Sequence, residues 1–201
     1  MTGGGKRAGD PTWPRRRKIV GVMGSGIDAH SELATAAGRV IARLGCHLLT
    51  GGGGGVMEAV CRAFSEIRPR EGAVIGVIRA DGDAHLAPHE GRRAYSPRGL
   101  NEFVEIPVFT HLPESSAGSL SRNHINVLTS DAVLVLPGGS GTLSEVELAA
   151  EYGWTPVLLF LGGQRVGGFT AAELKAQITP DARIVETETD LGDELRRALA
   201  L

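Results

Sequence analysis

Lysine is almost missing from this chain. Lys6, Lys18 and Lys175 are all it has, two in an N-terminal tail and one far along the sequence. Pyridoxal phosphate chemistry, which needs a Schiff-base lysine, therefore has no suitable bearer. Cysteine is as scarce. Cys46 and Cys61 are too few and too far apart for a disulfide framework or a Cys-based zinc site. Both read as reduced core residues, which suits a cytoplasmic protein. The six histidines are scattered; His85 and His89 form the closest pair and read as solvated, so no metal site is expected. Apolar runs end after about five to eight residues, far short of the ~20 that a membrane helix needs. The N-terminus lacks an apolar signal core. A formal charge of -2 and a pI near 6.3 make no general case for nucleic acid or an anionic membrane.

Glycine is what the chain has in excess, 29 of 201 residues. The apolar fraction of 42% suits a folded chain with a substantial core. Residues 1–17, rich in Gly, Pro and Arg, read as a disordered basic arm, with Arg15-Arg-Arg-Lys18 as a solvated charge run. Residues 18–201 read as one domain. Strands are expected at 19–23, 47–50, 73–78, 103–106, 132–136, 156–161 and 183–185. Between them come segments with helical spacing: Leu33, Ala37, Val40, Ile41 and Leu44; Val56, Val60, Cys61 and Phe64; Leu120, Ile125 and Leu128; and Leu191, Leu195 and Leu199. Residues 79–102 have no period and read as a long functional loop. Alternation of strand and helix predicts an α/β fold, a parallel sheet with helices on both faces.

The organising stretch is Pro137-Gly-Gly-Ser-Gly-Thr-Leu-Ser-Glu145, which follows the apolar run Ala132 to Leu136. A helix starting near Thr142 points its unpaired N–H groups over the glycine turn, an arrangement suited to phosphate. Gly138, Gly139, Ser140, Gly141 and Thr142 are the candidate ligands there. Two more turns, Gly24-Ser25-Gly26 and Gly51-Gly52-Gly53-Gly54, follow other strands and should emerge on the same edge. The same residues also allow a plain structural reading. Thr142-Leu-Ser-Glu145 has the form of a capping box, in which Glu145 only reaches back to the cap.

Competing phosphate motifs fit badly. Gly24-Ser-Gly-Ile-Asp-Ala29 satisfies G-x-G-x-x-G/A, but Thr50 and glycines stand where a dinucleotide site wants an acid. No Lys-Ser or Lys-Thr follows a glycine turn, so there is no P-loop. Arg122 offers a bidentate grip on phosphate or carboxylate, or else a surface ion pair. His124 is placed either on the ligand edge or on the helix surface.

Pro137-Gly-Gly-Ser-Gly-Thr-Leu-Ser-Glu145 resembles the PGGxGTxxE signature of the Lonely Guy family, also labelled lysine decarboxylase-like. The likeness covers most of the chain after the tail, with Gly24-Ser-Gly26 and Thr50-Gly-Gly-Gly-Gly-Gly-Val-Met57 matching the family's earlier turns. It implies a single Rossmann-like domain. It also implies a phosphoribohydrolase that splits an AMP-like nucleoside 5′-monophosphate into free base and ribose 5-phosphate, with no cofactor. Arg122 and Glu145 then match the catalytic pair, and the glycine turns with Thr142 hold the 5′-phosphate. Cleaving an N-glycosidic bond builds positive charge on the ribose, which a carboxylate can stabilise while it orients water. Asn123 stands where the family usually has Lys, and Ser140 where an aromatic is common.

A second resemblance is local. Ser121-Arg-Asn-His-Ile-Asn-Val-Leu-Thr-Ser-Asp131, Ile19-Val-Gly-Val-Met-Gly-Ser-Gly26 and Val104-Glu-Ile-Pro-Val-Phe-Thr110 look like the molybdenum cofactor carrier branch of the same superfamily. That branch implies a non-catalytic protein holding a phosphorylated pterin, the molybdenum cofactor, or a nucleotide. Either resemblance implies a homodimer or higher homo-oligomer.

Overall fold

Seven short strands and six helices make up the described part of the chain, alternating except at β3 and β4. They are β1 (Ile19–Met23), α1 (Ser31–Arg43), β2 (His47–Thr50), α2 (Val56–Glu66), β3 (Val74–Arg79), β4 (Ile106–Thr110) and α3 (Arg122–Thr129). After these come β5 (Ala132–Val135), α4 (Ser140–Tyr152), β6 (Val157–Leu159), α5 (Ala171–Gln177), β7 (Arg183–Ile184) and α6 (Glu188–Leu199). The structure, a computed structural model, describes residues 16–79, 100–112 and 120–201. The expectations for residues 1–15, for His85 and His89 with most of loop 79–102, and for 113–119 lie outside the described residues.

All seven strands pair in parallel, in the order β4-β3-β2-β1-β5-β6-β7. The expected α/β sheet is thus present, and its two faces are both covered. Side chains alternate across a strand, and the core divides accordingly. Val20, Val22, Ala132 and Leu134 pack with Ala37, Ile41, Val60, Phe64 and Leu195 of α1, α2 and α6. Met23, Val133 and Val135 pack instead with Val127, Val146, Ala149 and Leu174 of α3, α4 and α5. Every residue of β5 is buried, as a central parallel strand requires. Among the described residues, no helix is long and apolar enough to cross a membrane.

Three expectations are corrected. The fourth strand runs from Ile106 rather than 103–106, because Phe103 and Val104 pack on the core from a turn instead of pairing. The helix after the glycine turn begins at Ser140, two residues before Thr142. The third correction matters most for the site. Leu120 and Leu128 do not face in: they are 67% and 46% exposed. α3 buries Arg122, Asn123, Asn126 and Val127 instead. Its polar side is turned toward the carboxyl edge of the sheet, where polar groups find partners.

Candidate functional site

The chain reverses direction across the sheet between β1 and β5: β1 leads through α1 to β2 on one side, and β5 through α4 to β6 on the other. A crevice outside the strand ends is expected at such a switch point. The two turns that flank it are joined, since the Ser25 N–H donates to the Pro137 carbonyl at 2.9 Å. The Ser25 hydroxyl accepts from the N–H groups of Ile27 and Asp28 (3.1 and 2.9 Å), closing the loop before α1. A cavity of about 610 Å³ opens over this junction.

At its centre is the start of α4. Gly139 is the N-cap, in extended conformation, and no side chain caps the helix. The capping box that Thr142 and Glu145 offered as the structural alternative does not form, because Thr142 is already inside the helix. A Cβ built on Gly139 or Gly141 would meet nothing within 4 Å, so the space beside the first N–H groups is open. Gly138 is different. Its N–H donates to the Arg165 carbonyl (3.2 Å), and a Cβ there would lie 2.2 Å from Thr142 Oγ1. Gly138 is required for packing, while Gly139 and Gly141 border empty space.

The buried face of α3 supplies the other wall. Arg122, 7% exposed, donates from Nη1 to the carbonyl oxygens of Gly51 (2.8 Å), just after β2, and Val77 (3.3 Å), within β3. Glu145, 8% exposed on α4, accepts from Asn126 Nδ2 at 2.9 Å. Arg122 and Glu145 both line the cavity. An exposed surface ion pair, one of the readings of Arg122, does not describe a residue so deeply buried.

Of the sequence candidates, Gly24, Ser25, Gly26, Gly51, Gly138, Gly139, Ser140, Gly141 and Thr142 line the cavity together with Arg122 and Glu145. Gly52, Gly53 and Gly54 lie outside its lining. The carbonyls of Gly52 and Gly53 accept from Asn101 Nδ2 (3.1 and 3.0 Å), and Gly52 takes a positive φ of 73°. That turn is a structural latch between β2 and residue 101. His124 is also off the cavity, with Nδ1 2.5 Å from the Tyr152 hydroxyl. Among the described residues, no cluster of His, Cys, Asp or Glu suits a metal ion.

Asp28, His30, Met57, Asn123, Gln164 and Arg165 also line the cavity and were not singled out as ligands. Gln164 and Arg165 had a visible signal in Gly162-Gly163 and Gly167-Gly168, a fourth glycine turn after a strand, all four with positive φ. Val166 of this loop bridges to Gly138 and seats it against the site. Burial pushes the thiols of Cys46 and Cys61 up to about 11, so both are inert core groups.

The sequence model of the SLOG cluster4 family matches residues 17–189, which takes in every strand of the sheet. The chain belongs to the SLOG cluster4 family. The Lonely Guy-type superfamily expected from Pro137–Glu145 is thereby shown. An uncharacterised protein of Archaeoglobus fulgidus is 30% identical to this SLOG protein over 136 residues, 67% of this chain and 74% of that one. Among solved structures, the molybdenum cofactor binding protein of the phototrophic bacterium Rippkaea orientalis is 28% identical. It superposes with a TM-score of 0.68 over 94% of this chain and 100% of that one. The molybdenum cofactor carrier protein of Chlamydomonas reinhardtii is 26% identical, with a TM-score of 0.67 over 92% and 100%. The local resemblance to the carrier branch thus extends over the whole SLOG domain.

Proposed function

We propose that this SLOG protein binds a phosphorylated small molecule in the cavity between β1 and β5, and that its cargo is the molybdenum cofactor. The observation that carries this reading is the uncapped start of α4, with open space at Gly139 and Gly141, in a chain similar over its whole fold to two proteins named for that cofactor. Backbone N–H groups and the helix dipole would receive the pterin phosphate. Ser25, Ser140 and Thr142 would add hydroxyls, and Arg122 a fixed positive charge.

One observation favours a second reading, hydrolysis of a nucleoside 5′-monophosphate. Arg122 and Glu145, the pair that the Lonely Guy resemblance implies, face the same cavity from two helices. A buried carboxylate beside a bound ribose would stabilise the oxocarbenium charge of glycosidic cleavage; glycosidases use carboxylates this way. We further propose a homodimer or larger assembly, supported by the exposed Leu120 and Leu128, with sedimentation as its check.

The two readings separate in one pair of assays on native protein and Glu145→Gln. The first follows co-elution of molybdenum and pterin fluorescence after incubation with the cofactor. The second measures release of free base from a panel of nucleoside 5′-monophosphates. Retention of cofactor with no base released supports the carrier. Base release by native protein, absent in the variant, replaces it with the hydrolase. Neither activity sinks both.

A further inference from the structure

The cavity uses only part of the polar face that α3 turns inward. Arg122 and Asn123 line it, whereas Asn126, one turn along, does not. Asn126 is 1% exposed and sits on the side of α3 that faces α4. A buried amide is costly where its polar atoms lack partners, and Val127 and Val146 show that apolar side chains pack between these helices. The amide makes one hydrogen bond, Nδ2 to Glu145 Oε1 at 2.9 Å, while Oδ1 has no hydrogen-bond partner. The amide therefore does not serve its own satisfaction. Its backbone is equally fixed: the Asn126 carbonyl accepts from the Ser130 hydroxyl at 2.7 Å. Ser130 in turn abuts Gly21 of β1, where an added Cβ would fall 2.1 Å from its Oγ.

A neutral donor is a specific choice. Hydrogen bonds to a carboxylate favour its charged form, whereas desolvation favours the neutral acid. We infer that Asn126 is a positioning residue of this cavity: its amide donates to the Glu145 carboxylate, favours its ionised form and fixes its orientation toward a bound ligand. The inference rests on the reading that the ligand reaches Glu145. It serves both proposed ligands, since a fixed carboxylate can accept ring N–H groups of a pterin or face a developing ribose cation. Among the described residues, the other titratable groups on the cavity are Arg122 of α3, Asp28 and His30 ahead of α1, and Arg165 after β6.

The test is direct titration of Glu145 by carbon NMR in protein labelled at the glutamate carboxyl carbon, with the resonance assigned by its loss in Glu145→Gln. Native protein is compared with Asn126→Leu, which removes the donor and keeps the branching and number of heavy atoms of the side chain. Asn126→Ser, smaller and still polar, replaces it if the leucine variant does not fold. The Glu145 midpoint is expected to rise by about one pH unit, a tenfold loss of the ionised form at a given acidic pH. The acid limb of AMP affinity should rise with it. An unchanged midpoint in a folded variant overturns the inference, as does an affinity loss by the same factor at every pH. If Glu145→Gln binds AMP and cofactor as native protein does, the ligand-contact reading fails, and the carboxyl titration still decides whether Asn126 governs Glu145.

Discussion

Arg122 donates from Nη1 to the carbonyl of Gly51 at 2.8 Å, across 71 positions of sequence. This bond ties the first residue of α3 to the end of β2, and its reach to Val77 extends the tie to β3. The guanidinium is thus preorganised at the strand ends before any ligand arrives. A Cβ on Gly51 would stand 2.9 Å from its Cζ, so any larger residue there must displace the guanidinium.

Replacing that cation should be felt in stability and in binding. Arg122→Met leaves two buried carbonyls without their donor and is expected to cost about 1–3 kcal/mol in a denaturant melt. Arg122→Lys should recover only part, since an ammonium cannot reproduce the planar fork. Gly51→Ala should fold but displace the guanidinium, weakening AMP or cofactor binding by about tenfold or more.

The two glycines at the start of α4 should behave oppositely. Gly139→Asp places a carboxylate at an extended N-cap with open space around it. It should stabilise the helix by about 0.3–1 kcal/mol through the dipole while abolishing binding of phosphorylated ligands. Gly138→Ala drives a methyl group into Thr142 Oγ1 and the Ser25 backbone, so it should lower the melting temperature whether or not ligand is present. Thermal melts with and without AMP or cofactor check both.

Acid stability carries a contribution from Glu105. The Arg70 guanidinium bonded to its side chain, and the Val74 N–H, hold this carboxyl below its ordinary value of 4.5 against partial burial. The folded pKa lies below the unfolded one, so the contribution is complete above pH 4.5 and is lost as pH falls through the folded value. Glu105→Gln should therefore melt below native protein near neutral pH, with the gap closing under acid. A gap that stays constant into strong acid would show that Glu105 acts by packing alone.

Burial ranks the leucines differently from their helical spacing. Leu134, fully buried in β5, should cost about 2–5 kcal/mol on truncation to alanine. Leu120, which the spacing places in the core, is 67% exposed. Leu120→Ala should leave monomer stability within about 0.5 kcal/mol. Chemical denaturation of both variants tests the ranking.

Most of the architecture was legible because it depends on local period. Runs such as Ala132 to Leu136 read as buried strands, the spacing of Val56, Val60 and Phe64 gave α2 its inner face, and the glycine turns marked strand ends. The candidate site was legible where it is made of turns. It was misread on α3, where leucine spacing suggested an apolar inner face, and at the start of α4, which lies at Ser140 rather than near Thr142 and so leaves the alternative capping box unformed.

The sequence by itself determined an α/β sheet with both faces covered, an edge of glycine turns after the strands, and the superfamily carried by Pro137–Glu145. Those follow from side-chain period and from glycine's missing Cβ, which act over a few residues. Only the tertiary structure decided that α3 turns Arg122, Asn123 and Asn126 inward, that Asn126 bonds Glu145, and that Gly52 and Gly53 latch onto Asn101 rather than line the cavity. The physical reason is that a buried polar group goes where its partners are, and those partners lie far away in sequence on other elements.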